Sequence, residues 1–302
     1  MSTSAKRTIL ITGCSTGGAG HALALEFAAK GLRVFATARS TKSLATLEAK
    51  GIEVLPLEVT SAESIQALKE EITKRTGGKL DMLFNNAGFM YEHPAVEADP
   101  ALIRKMFDAN VFGVFDMINA FFPLLLAAAG NPNAPPTIIN TASVLSRLPY
   151  IFSSGYNASK AAVVSYSDTL RLELQPFGIK VVTLLMGEVS TGLMSENNIS
   201  FGQDSLYIDA QEGVKERTRQ HIQKSMGPEV FASQVVNSVL SKPALGKGEF
   251  VWKGTNAGVA WLLNAVGPRK VFDPIAKSGV GLNKEATRKA ILERGQHRVK
   301  RD

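Results

Sequence analysis

TILITGCSTGGAGHALALEFAAKG, Thr8 to Gly31, sets a short apolar run, a glycine cluster and a helix-spaced segment in direct succession. TILIT (Thr8 to Thr12) reads as a buried strand, and HALALEFAAKG (His21 to Gly31) carries apolar residues at helical intervals. TGCSTGGAG (Thr12 to Gly20) lies between them. Glycines there let the backbone turn tightly, and free amides at a helix start attract an anion such as a pyrophosphate. A glycine-rich turn with no ligand is the alternative, and the strand before and helix after argue against it.

The same alternation continues along the chain. Arg33 to Ala38, Ile52 to Val59 and Leu80 to Gly88 read as buried strands separated by segments with helical spacing. Pro136 to Val144, Lys180 to Gly187 and Gly248 to Gly254 extend the series, and GNPNAPP (Gly130 to Pro136) reads as a surface turn. This pattern predicts an α/β fold, a doubly wound parallel sheet in a single domain over 1–255, with a C-terminal apolar helix and basic tail over 256–302.

At 302 residues and 45% apolar, the chain is long enough for one large domain. The apolar run in MSTSAKRTILITG is short and leads into the glycine loop, so it reads as a first strand, not a signal peptide. No run reaches the roughly 18 unbroken apolar residues of a membrane span. The single cysteine, Cys14, excludes an intramolecular disulfide, suits a reducing cytoplasmic compartment, and reads as a packing residue. The net charge of +7 is concentrated in the second half, with seven basic and three acidic residues from Gly281 to Asp302. No aromatic stacking platform accompanies it, so the charge reads as a solvated face and nucleic acid is not expected as a partner.

From Phe27 to Leu47 there is no Asp or Glu, and the second strand runs into Arg39, Ser40 and Lys42. An acid at that place would bind a free ribose 2′-hydroxyl, whereas a guanidinium clamps a 2′-phosphate, so NADP(H) is favoured over NAD(H). Further on stand NNAG (Asn85 to Gly88), Ser143, and YNASK (Tyr156 to Lys160). A four-residue step on a helix puts Tyr156 and Lys160 on one face. The ammonium is expected to lower the phenol's pKa and suit it to acid–base chemistry on a substrate oxygen.

In that order and spacing, with Ser143 thirteen residues before Tyr156, these residues resemble the classical short-chain dehydrogenase/reductase family over about residues 6–195. The resemblance implies a Rossmann-type fold and an oxidoreductase acting on CH–OH or C=O groups. Tyr156 would exchange the proton on the substrate oxygen and Ser143 would hold that oxygen. Lys160 would bind the nicotinamide ribose, and Asn110, in FDANVFG, would hold a water linking Lys160 to solvent. Cofactor contacts implied are Gly13, Ser15, Thr16, Gly18, Ala19 and Gly20 in the loop, then Arg39, Ser40, Glu58 and Val59. Asn86, Ala87 and Gly88 would pass the adenosine half, and Val189 and Thr191 would face the carboxamide. No metal is implied. The chain departs from the family pattern in a glycine loop one residue longer, in Glu58 for an aspartate, and in Met186 for a proline.

The resemblance implies that two apolar segments set substrate choice, Leu145, Leu148, Tyr150, Ile151 and Phe152, then Leu193, Met194, Ile199, Phe201, Leu206 and Tyr207 within a substrate loop of about 189–225, although for any single one core packing is the favoured reading. Leu145, Tyr150, Gly187 and Met194 are the candidate contacts for a large apolar ketone. DSLY (Asp204 to Tyr207) and GEFVWKGTNAG followed by VAWLLNAV resemble the fungal 1-acyldihydroxyacetone-phosphate reductase branch of the family, which also resembles ketoreductases of polyketides, terpenes and steroids. Val259, Leu262, Leu263 and Val266 follow helical spacing between Lys253 and Arg269 with Lys270. That segment (258–270) fits a lipid surface of endoplasmic reticulum or lipid droplets, a lid over the pocket, or a subunit contact. The family resemblance also implies a homo-oligomer. A dinucleotide-binding sensor or scaffold without turnover is the other functional class, and the presence of Asn110, Ser143, Tyr156 and Lys160 favours the enzyme.

Overall fold

The computed structural model describes residues 6–268 and 270–299. In chain order it contains β1 (Thr8–Ile11), α1 (Ala19–Ala29), β2 (Arg33–Ala38), α2 (Ala45–Glu48), β3 (Glu53–Pro56), α3 (Ala62–Thr76), β4 (Met82–Asn85), α4 (Pro100–Phe107) and α5 (Gly113–Ala127). There follow β5 (Thr137–Ser143), α6 (Ser154–Leu174), β6 (Lys180–Met186), α7 (Gln211–Lys224), α8 (Pro228–Ser241), β7 (Phe250–Lys253), α9 (Ala257–Val266), α10 (Asp273–Ser278) and α11 (Glu285–Val299). All strand pairings are parallel, and the sheet order is β3-β2-β1-β4-β5-β6-β7. The order reverses between β1 and β4, which opens a crevice at the carboxyl ends of the strands.

Strand residues alternate between two cores. Ile9 and Ile11 pack with Phe27, Val182 and Phe231 on one face, while Leu10 packs with Phe35, Leu83, Phe121 and Ile138 on the other. Burial on both faces is why these strands are apolar throughout. All seven expected strands are present. β3 is shorter than Ile52 to Val59 and ends at Pro56, whose missing N–H falls on the open edge of the sheet, since Leu57 N, one residue on, still donates to Ala38 O of β2 at 2.9 Å.

Two features bear on the sequence expectations. The continuous helical run from Pro100 to Ala127 is 28 residues long and, by length and composition alone, could cross a bilayer. Half of its most apolar window is buried, and Met117, Ile118, Phe121, Leu124 and Leu125 account for that apolarity by facing the core. The basic tail is not simply a solvated face. On α11, Arg294 donates to Leu206 O at 2.8 Å and pairs with Asp209, and Arg298 pairs with Glu97 at 3.4 Å. Arg269, and the tail beyond Val299, lie outside the described residues.

Candidate active site

Gly13 follows β1 at φ +74°, where an added Cβ would stand 2.8 Å from Ala87 Cα. A Cβ at Gly20 would stand 2.4 Å from Gly13 O and 2.5 Å from Asn86 Nδ2. The glycine loop and NNAG are therefore in direct contact, locked by Thr12, whose hydroxyl accepts from Asn86 N at 3.0 Å and Ala87 N at 2.9 Å. Asn86 Nδ2 donates to Thr12 O and Gly13 O. The extra residue of the loop is accommodated by Gly17 at φ +79°, and Gly18 is the extended N-cap of α1. No side chain caps α1, so its first amides are left for a ligand, beside exposed Ser15 and Thr16 and ahead of buried Ala19. Such a cradle, with no room for a Cβ at Gly13 or Gly20, fits the pyrophosphate of a dinucleotide.

The ribose end is placed by β2. Cys14 N donates to Thr37 O at 2.8 Å, which brings the loop against the strand that delivers Arg39 and Ser40, both exposed. Ser15 and Thr16 meet Ser43 through their hydroxyls at 3.2 and 2.8 Å. Glu58 folds its carboxylate onto Thr60, accepting from the backbone N at 3.1 Å and the hydroxyl at 2.9 Å. Val59, next to it, closes against Gly113, whose Cβ would stand 2.9 Å from Val59 O.

The catalytic candidates converge from β5, α6 and a π-helical turn, Asp108–Phe112, between α4 and α5. The widened turn carries Asn110, fully buried, whose Oδ1 accepts from Phe89 N at 2.9 Å and whose Nδ2 donates to Phe89 O at 2.9 Å and Ser159 Oγ at 3.1 Å. Asn110 thus pins the segment after NNAG to α6. Gly88 lies between, since its Cβ would stand 2.8 Å from Asn110 Oδ1 and 3.7 Å from Lys160 Nζ. Ser143 ends β5; its Oγ accepts from Leu145 N at 3.1 Å and donates to Met186 O at 3.4 Å.

Tyr156 and Lys160 share a buried face of α6, with Nζ 5.8 Å from the ring centroid. The expected lowering of the phenol's pKa is not found. Burial pushes Tyr156 up to about 12, opposed only by its hydrogen bond with Ser143. Burial also lowers Lys160 to about 8, and its ammonium donates to Thr141 O at 2.9 Å. Desolvation disfavours both charged forms here.

Ser143 and Tyr156 open onto a cavity of about 550 Å³, in which all four substrate candidates, Leu145, Tyr150, Gly187 and Met194, are lining residues. Leu148, Ile151, Leu193, Val189 and Thr191 line it as well. Phe152, Ile199, Phe201 and Tyr207 do not; they pack with Val214 and Val280 in a separate small core. Leu206 is taken up by Glu97, which accepts from its backbone N at 2.8 Å. α9 walls the cavity with Val259, Ala260 and Leu263, while Trp261, Leu262 and Val266 stay more than half exposed.

Sequence reading missed a polar wall. Arg217, Gln220, His221 and Lys224 of α7 line the cavity at positions i, i+3, i+4 and i+7, a spacing legible in the sequence had the segment been read as a helix. Arg217 lies 3.7 Å over the Tyr150 ring and donates to Ile151 O at 3.1 Å and to Glu92 Oε1 at 2.6 Å. Burial raises the Glu92 carboxyl, with Arg217 pulling the other way.

The family model described as short chain dehydrogenase matches residues 7–200. Short-chain dehydrogenase ptmH of Penicillium ochrochloron is 38% identical over 92% of this chain and 99% of its own length. An NADPH-dependent 1-acyldihydroxyacetone phosphate reductase of Schizosaccharomyces pombe is 38% identical over 76% of each chain. Among solved structures, a short-chain dehydrogenase from Streptomyces avermitilis superposes with a TM-score of 0.73 at 26% identity, over 91% of this chain and 99% of that one. A short chain dehydrogenase/reductase from Burkholderia phymatum, in complex with NAD, gives 0.68 at 26% identity over 83% and 90%. With the glycine cradle, NNAG, Ser143 and the Tyr156–Lys160 pair gathered at one end of the sheet, the chain belongs to the short-chain dehydrogenase/reductase family, nicotinamide-dependent oxidoreductases.

Proposed function

We propose that this chain is an NADPH-dependent ketoreductase acting on a large apolar ketone, with Tyr156 as general acid. The observation that carries the reading is the opening of Ser143 and Tyr156 onto the mainly apolar cavity. A dinucleotide in the glycine cradle supplies hydride. A phenol raised to about 12 is fully protonated at neutral pH, so Tyr156 holds the proton that the carbonyl oxygen needs as it gains charge. Ser143 exchanges its 3.4 Å bond to Met186 O for the substrate oxygen at little cost. Lys160 carries its charge beneath the phenol and binds the ribose, and Asn110 keeps that corner closed. Arg39 and Ser40, with no acid between Phe27 and Leu47, support NADP(H) through the 2′-phosphate. The naming of the S. pombe relative supports the same cofactor.

Two substrate classes follow. Likeness to that reductase supports 1-acyldihydroxyacetone phosphate, and a wall built by the short loop after Ser143 with α7 and α9 supports a compact polycyclic ketone of polyketide, terpene or steroid type. The reading extends to a cytoplasmic homo-oligomer whose α9 touches a lipid surface. The test is nicotinamide oxidation by purified protein with NADPH and NADH against both ketone classes. NADPH is expected to be preferred, and Tyr156→Phe to lose at least about a hundredfold in turnover while still binding NADPH. Undiminished turnover in Tyr156→Phe removes the proposed acid; NADPH binding with no turnover of any ketone supports a sensor instead.

A further inference from the structure

The polar wall of α7 is nearly charge-balanced. Arg217 is matched by Glu92, with side chains only 14% and 7% exposed. Glu188, which follows β6, faces His221, whose Nδ1 stands 3.6 Å from Glu188 Oε2. The His221 contact and the Asn256 amide hold the Glu188 carboxyl below its usual range against burial. Lys224 is exposed.

Glu188 is firmly placed. Its backbone N donates to Thr255 O and Thr255 N donates to Glu188 O, each at 3.0 Å. Its Oε1 accepts from Asn256 Nδ2 at 2.9 Å. Asn256 itself holds a left-handed backbone, φ +62°, a conformation that surrounding contacts must maintain. The carboxylate so fixed can only accept, so Nδ1 is the nitrogen that carries hydrogen toward it, and in the neutral ring Nε2 is then the acceptor. His221 lines the cavity with its side chain 12% exposed, and among the described residues Nε2 has no protein partner.

We infer that His221, oriented by Glu188 and Asn256, is a specificity residue that accepts a hydrogen bond from a hydroxyl the substrate carries apart from its reacting carbonyl. The assignment rests on the reading of the cavity as a ketone site. It narrows the substrate to a hydroxylated, otherwise apolar ketone. A neutral hydroxyl suits the place beside His221 better than a phosphate or carboxylate, which would have to lie beside the Glu188 carboxylate, with Arg217 already paired to Glu92 and Lys224 out on the exposed rim.

The test compares kcat/KM for a set of position isomers of hydroxytetralone with the parent tetralone and a carboxytetralone, using NADPH. One hydroxy isomer is expected to exceed the parent by about tenfold, the value of one well-made hydrogen bond. His221→Leu should bring that ratio to within about twofold of unity, mainly through KM, and His221→Gln, which keeps an acceptor, should retain part of it. A preference that survives His221→Leu overturns the assignment, as does a His221-dependent preference for the carboxylate. Turnover of the parent with no hydroxyl preference overturns the assignment alone, whereas no turnover of any ketone overturns the ketone reading together with it.

Discussion

Tyr156 and Lys160 occupy one buried turn of α6, and burial moves both toward their neutral forms. The lysine's shift has a consequence for folding. Below pH 8 it is charged in both the folded and unfolded chain, and the folded chain bears the full penalty, about 3 kcal/mol for a fall from 10.5 to about 8. Between pH 8 and 10.5 the unfolded chain binds more protons, so stability rises with pH as the penalty fades. Lys160→Met should therefore be inactive yet more stable than the parent below pH 8, with the gap closing toward pH 10.5. Urea unfolding of the cofactor-free protein at several pH values checks this, and a less stable variant at pH 7 contradicts it. The four-residue step made the pairing of Tyr156 and Lys160 legible in the sequence. The direction of the phenol's shift was not, because spacing carries no information on how much water reaches the turn.

The elements that were legible are those whose role is written in local pattern. The seven strands carry continuous apolar runs, and α1 follows its glycine turn. α7 was not, since Arg217, Gln220, His221 and Lys224 look like a solvated face until Glu92, 125 positions away from Arg217, is brought beneath them. That contact ties three segments together: α7, the turn holding Tyr150 and Ile151, and Glu92, which also accepts from Ser153 Oγ at 3.2 Å. Removing the cation strands a buried carboxylate. Arg217→Met should cost about 3 kcal/mol at neutral pH, and Glu92→Gln added to it should recover more than half. Without Arg217 the folded Glu92 pKa rises further above its unfolded value, so the loss should shrink as pH falls and the carboxyl is protonated. Thermal melts of the two single variants and the double variant measure it; additive losses would mean that the pair is not coupled.

For the molecule as a whole, the sheet places its chemistry at one end, and the chain's last segments complete that end. α9 faces inward with Ala257 and Ala260, while Val259, Trp261, Leu262 and Val266 are exposed, and Lys253 and Lys270 flank the helix in sequence. Aromatic and aliphatic groups flanked by cations suit an anionic lipid surface. The protein should float with anionic vesicles at low salt, and Trp261→Ser with Val266→Ser should abolish flotation. Flotation unaffected by these changes would place any lipid contact elsewhere, and a loss of self-association in the variant would make α9 a subunit contact instead. The hydropathic pattern revealed the helix; which of its sides remains uncovered emerges only once α10 and the cavity are in place.

Cys14 lies inside the glycine loop, fully buried, its thiol raised by burial to about 12 and donating to Ile11 O at 3.4 Å. A thiol held in that state reacts with an alkylating reagent only while the loop is open. Since it is the chain's single cysteine, its labelling rate becomes a clock for excursions of one loop, uncontaminated by any other site, and any ligand that keeps the cradle shut slows that clock.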